Sequence, residues 1–160
     1  MAATSASERH VFLSYAREDR EKVDQILHAL RERHFPVFMD QEMVSGVDWE
    51  RVLEAQLQRA YAVVVVWSSR SVVSEWVARE SAVGLEKDRL FPVLLERGLT
   101  IPPRFAHKQA ADLSDWNGDP HDAKFDRAIG LLKPLWEAQM GLLEDVKPLK
   151  PLRFKPRPAA

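Results

Sequence analysis

One carboxylate and one indole stand out along the chain as groups that could do chemistry together. Glu80 follows Trp76 by four residues within Val72-Val73-Ser74-Glu75-Trp76-Val77-Ala78-Arg79-Glu80. In a helix that spacing is about 40° of rotation and about 6 Å of rise, so the two side chains share a face. Val73, Trp76, Val77, Val83 and Gly84 recur at helical spacing, which sets Glu80 on or beside the apolar stripe. An acid in that position is solvated in a cleft, paired with a cation such as Arg79 or Arg70, or kept for chemistry.

A set of hydroxyls completes the inventory: Ser14, Tyr15, Ser68, Ser71 and Ser74. A carboxylate, an indole and hydroxyls suit an aromatic, hydroxyl-rich ligand such as a nucleotide. A carboxylate can hydrogen-bond a ribose diol and stabilise the positive charge that develops when a good leaving group, such as nicotinamide, departs. Arg70 directly precedes the helix, where an anion could also bind. Other chemistries lack their residues. There is no cysteine, so neither thiolate metal sites nor thiol nucleophiles arise. The five histidines (10, 28, 34, 107, 121) have no metal-ligand spacing, and no metal is expected. Gly-x-x-x-x-Gly-Lys, Gly-x-Gly-x-x-Gly and Gly-x-Ser-x-Gly are all missing.

The elements that position these groups follow from periodicity. Tyr61–Trp67 is an unbroken apolar run with four consecutive valines, read as a central strand covered on both faces. A helix is expected to begin near Ser71 and pack back on it. Before these come a strand at His10–Ser14, a helix carrying Val23, Ile26, Leu27 and Leu30 to about His34, a strand at Pro36–Asp40, and a helix from Asp48 to about Ala60. After them come a strand at Leu90–Leu95, a loop over 97–107, a weak strand at Ala110–Leu113, and a helix from about His121 to Gln139 striped by Phe125, Ile129, Leu132 and Trp136. The alternation predicts an α/β, flavodoxin-like three-layer sandwich with a five-stranded parallel sheet in the order 2-1-3-4-5 and helices on both faces. Ligands bind such sheets where strand order reverses, which places the site between Ser14–Asp19 and Ser68–Ser74. The Gln41–Val47 loop, with Gly46 as its flexible point, is placed to act as a lid.

At 160 residues the chain reads as residues 1–8 disordered, one domain over 9–140, and a proline-rich linker or tail over 141–160, which suggests a further domain of a longer chain. Twenty-three basic against 24 acidic residues give no basic excess for nucleic acid. No apolar run approaches membrane-spanning length, and no signal peptide precedes the domain, so a soluble cytoplasmic protein is expected.

Three pieces carry a resemblance to a known family: HVFLSYAREDR, VFMDQEMVSGVDWERVLEAQLQRA, and WSSRSVVSEWVARE with Ser71, Ser74, Trp76 and Glu80 in it. Over about His10–Trp136 the chain resembles a Toll/interleukin-1 receptor (TIR) domain of the bacterial or plant kind. Many enzymatic members cleave NAD+ to nicotinamide and ADP-ribose or a cyclic variant, with NAD+ a substrate rather than a cofactor. The resemblance implies that Glu80 is the essential glutamate and Trp76 its neighbouring tryptophan, with Ser14, Tyr15, Asp40 and Ser71 lining the cleft. It also implies activation by self-association with other TIR domains, as the effector of a bacterial defence or signalling protein. The alternative is a non-catalytic adaptor that works through TIR–TIR contacts, for which the loop's Met43 and Val44 serve equally well.

Overall fold

The computed structural model describes residues 9–39 and 49–149. The chain runs β1 (His10–Ser14), α1 (Arg20–Glu32), β2 (Val37–Met39), α2 (Trp49–Arg59), β3 (Ala60–Trp67), α3 (Glu75–Glu86), β4 (Leu90–Leu94), β5 (Ala111–Asp112) and α4 (Ala123–Leu149). The five strands are parallel in the order β2-β1-β3-β4-β5, the order expected from the alternating pattern. Every residue of β3 is buried, so the valine run is a strand covered on both faces.

Two apolar layers follow from strand alternation. Val11, Leu13, Ala62, Val64 and Val66 face α1 and α4, which contribute Ile26, Leu30, Phe125 and Leu132. Phe12, Val63, Val65 and Trp67 face the other way, against Leu53 and Leu57 of α2 and Val77 of α3. Consequently α2 and α3 lie on the same face of the sheet, and whatever sits between them is held by both.

Four boundaries differ from the sequence expectation. Ser71–Val73 is a short 3-10 turn, and α3 starts at Glu75 with the Ser74 hydroxyl accepting from the Val77 amide at 3.1 Å. Val73 is therefore off the packed stripe and 79% exposed. α4 continues to Leu149 rather than ending near Gln139, and so enters the stretch read as a tail. Pro134 does not stop it, because it stands on the exposed face, where water can satisfy the freed carbonyl. β2 shortens to Val37–Met39 and β5 to two residues. Asp40 and the 41–47 loop lie outside the described residues.

Pro92 sits inside β4 without breaking it. Leu94 O accepts from Leu113 N, so the even positions of β4 point toward β5. β5 pairs only with Val93 and Leu94, so no strand partner calls on the N–H that Pro92 lacks. Gly84 sets how closely α3 approaches the sheet. A Cβ there would come within 2.8 Å of Val63 Cβ and 3.3 Å of Leu90 Cδ1. We predict that Gly84→Ala destabilises the domain by about 1–3 kcal/mol through overpacking, despite alanine's better helix propensity. Urea denaturation checks it, and a gain in stability would contradict the close approach.

Candidate active site

β1 ends at Ser14, and strand parity turns that side chain to the α2/α3 face, as it does Phe12. The hydroxyl is fully buried and donates to Glu80 Oε1 at 2.7 Å. On α3, Val77, Ser81 and Gly84 face inward, and Glu80 lies between them and the solvent side, 5% exposed. The acid that the sequence places on the apolar stripe is indeed buried, and a serine from a strand 66 residues away is bonded to it.

Beside this carboxylate a cleft of about 490 Å³ opens between α2 and α3. That volume is within the range of small-molecule sites. Leu53, Leu57 and Val83 supply its apolar wall, and Glu50, Arg51 and Glu54 line it from α2. Trp76, Arg79 and Glu80 line it from α3. Trp76 is half-buried against the apolar layer below, and the Arg79 guanidinium lies over its ring, 5.1 Å from the centroid. An aromatic wall, an arginine and a buried carboxylate therefore converge on one space.

Glu80, Trp76 and Ser14 are brought together; among the described residues Tyr15, Ser71 and Arg70 stand elsewhere. Tyr15, one residue beyond Ser14, packs against the opposite layer, on the side of α1 and α4. Ser71 is buried, and its hydroxyl donates to Val66 O at 2.8 Å while accepting from Ser68 N at 2.7 Å. Ser68 in turn accepts from the Arg70 and Ser71 amides, both at 3.1 Å, and donates to Asp19 Oδ2 at 2.5 Å. These hydroxyls tie the turn after β3 to the turn after β1, where a ligand was expected. Arg70 is exposed and pairs loosely with Glu18 at 3.8 Å. Asp40 is outside the described residues. The cleft thus lies on the helix face of the sheet, and the turns at its carboxyl end act as a brace.

Sequence reasoning missed the α2 contribution and the position of Arg79. Arg79 is three residues after Trp76, a spacing that puts the two on one helical face, so its contact was available from the sequence. Nothing in the sequence says that α2 and α3 share a cleft. Among the described residues no group of three or more His, Cys, Asp or Glu could hold a metal ion, and no helix is long and apolar enough to cross a membrane.

A family model described as "TIR domain" matches residues 11–129, and the chain belongs to that family. A search of curated proteins returns no match. Among solved structures, the TIR domain of the Toll-related receptor TRR-2 from Hydra magnipapillata is similar at TM-score 0.59 and 18% identity, covering 88% of this chain and 99% of that one. A TIR-STING receptor from C. gigas, in complex with 2',3'-cGAMP, is similar at 0.60 and 21%, covering 79% of this chain and 41% of that one. The TIR domains of the activated Roq1 resistosome, which recognises the pathogen effector XopQ, are similar at 0.56 and 20%, covering 87% and 99%. At these identities the structural likeness speaks for the fold.

The Ser14–Glu80 bond generates a prediction of its own. Ser14→Ala removes a donor from a buried carboxylate, which costs about 1–3 kcal/mol of stability. Denaturant unfolding of the variant measures it, and an unchanged midpoint would mean that Glu80 does not depend on this bond.

Proposed function

We propose that this TIR domain is an NAD+ glycohydrolase in which Glu80 acts on the ribose that carries nicotinamide. The observation that carries the reading is a carboxylate 5% exposed, lining a cleft of about 490 Å³ beside an indole. Burying an acid is costly, so an acid held at a cleft wall points to work done there. The Ser14 hydroxyl holds Oε1, which orients the carboxylate.

In this mechanism Glu80 accepts hydrogen bonds from the ribose hydroxyls and faces C1'. The bond between C1' and the nicotinamide nitrogen breaks with both electrons going to nicotinamide, which leaves neutral. Positive charge develops on the sugar, and the carboxylate stabilises it more strongly than it does the ground state. Water adds to C1' and loses a proton, giving ADP-ribose; an internal nucleophile in place of water gives a cyclic product. Trp76 forms the aromatic wall of the site. Its indole is held from below by the apolar layer and from one side by Arg79, so the wall is preorganised.

Activity is expected on self-association with further copies of the domain, in the cytoplasm, as the effector of a defence or signalling protein. Concentrated protein incubated with NAD+ should release nicotinamide, with a rate per protomer that rises with protein concentration. Glu80→Ala should lower that rate at least about a hundredfold, the scale of losing one electrostatic stabiliser of a transition state. Release that survives Glu80→Ala would remove the role assigned to the acid. Silence at every concentration, with and without crowding, would leave the domain as an adaptor.

A further inference from the structure

Resting on the reading of this cleft as a nucleotide site, we propose that Arg79 is its anion-recognising residue and makes it selective for nucleotides that carry a diphosphate. Arg79 lines the same space as Glu80 and is the preceding residue on α3. Its guanidinium carbon lies over the Trp76 ring, 5.1 Å from the centroid, in a cation–π contact. Among the described residues no carboxylate forms an ion pair with it and no acceptor takes a hydrogen bond from it. Glu75, four residues earlier on α3, is in reach by helical spacing, yet the arginine lies over the indole instead. Glu54, across the cleft, takes a hydrogen bond from the Gln58 amide at 3.1 Å.

The chemistry follows from those positions. A guanidinium held over an aromatic ring is placed by that ring while N–H donors stay available. Those donors match two phosphate oxygens at once, which an ammonium does not. A cleft lined by Glu50, Glu54 and Glu80 repels an anion unless cations answer it. Of its two arginines, Arg51 on α2 and Arg79 on α3, it is Arg79 that stands beside Trp76 and Glu80, so a diphosphate draws on Arg79 as a neutral nucleoside does not. The indole also ties recognition to the reaction centre. Trp76 touches the guanidinium on one side and shares its helical face with Glu80 on the other, so a diphosphate at Arg79 fixes where the attached ribose can lie.

The experiment is calorimetric titration of ADP-ribose, which has the diphosphate and no leaving group, into wild type, Arg79→Gln and Arg79→Lys. Arg79→Gln should weaken ADP-ribose binding about tenfold or more, the scale of a lost charge-assisted contact. Arg79→Lys should recover part of it, and melting temperatures should stay together. With NAD+ as substrate, Arg79→Gln should raise KM and lower kcat/KM about tenfold or more. Equal affinities in wild type and Arg79→Gln, or no ADP-ribose binding by wild type at millimolar concentration, would overturn the assignment. A protein that releases no nicotinamide yet binds ADP-ribose through Arg79 would sink the glycohydrolase reading and keep this one. Nicotinamide release with a KM untouched by Arg79→Gln would do the reverse.

Discussion

The buried carboxylate of Glu80 is the constraint to which the rest of the site answers. A charge taken out of water must be met by hydrogen bonds, or the fold loses several kcal/mol. Ser14 meets it from the end of β1, and that requires α3 to lie close on the sheet. Gly84 permits the approach, since a side chain at that position would collide with Val63. The glycine and the serine are far apart in sequence and serve one end. Together they hold a carboxylate at the wall of a cleft without letting it swing out to solvent.

The sheet provides the rigidity. β3 is buried over its whole length, and its alternate residues anchor both layers, so α2 and α3 are fixed against one plane. At its carboxyl end the Ser68, Ser71 and Asp19 hydrogen bonds close the turns after β1 and β3 onto each other. That brace is itself a consequence of burial. Turn amides that leave the sheet must find acceptors, and short serine hydroxyls supply them locally. The ligand-sized space therefore lies along the flank between two helices, where side chains are long and leave a gap.

How much of this was legible depends on the range of each interaction. Both layers follow from local periodicity, and the four valines announced them. The strand order follows from the alternation of strands and helices, and the apolar stripe marked Glu80 while leaving a solvated or ion-paired acid open. The placing of Tyr15 follows the same alternation carried one residue past β1: Ser14 turns to Glu80, and Tyr15 packs against the α1/α4 layer. Ser71 and Ser74 could not be told apart by residue type. Only the backbone decides that Ser74 caps α3 while Ser71 closes the turn. The α2 wall, with Glu50, Arg51 and Glu54, depends on packing between elements that no spacing records. The extension of α4 past Gln139 runs through Pro134, which stands on the exposed face, where water can meet the freed carbonyl.

The account stands on the carboxylate of Glu80 meeting a ribose within the α2/α3 cleft. Its most direct test is a crystal structure of the Glu80→Gln protein soaked with NAD+, in which turnover is removed and the pose is kept. The account predicts the nicotinamide-bearing ribose between Trp76 and residue 80, with a ribose hydroxyl within hydrogen-bonding reach, about 2.6–3.2 Å, of the side-chain amide. Nucleotide density at the Ser68–Ser71 turn, or on any surface away from the cleft, would contradict it.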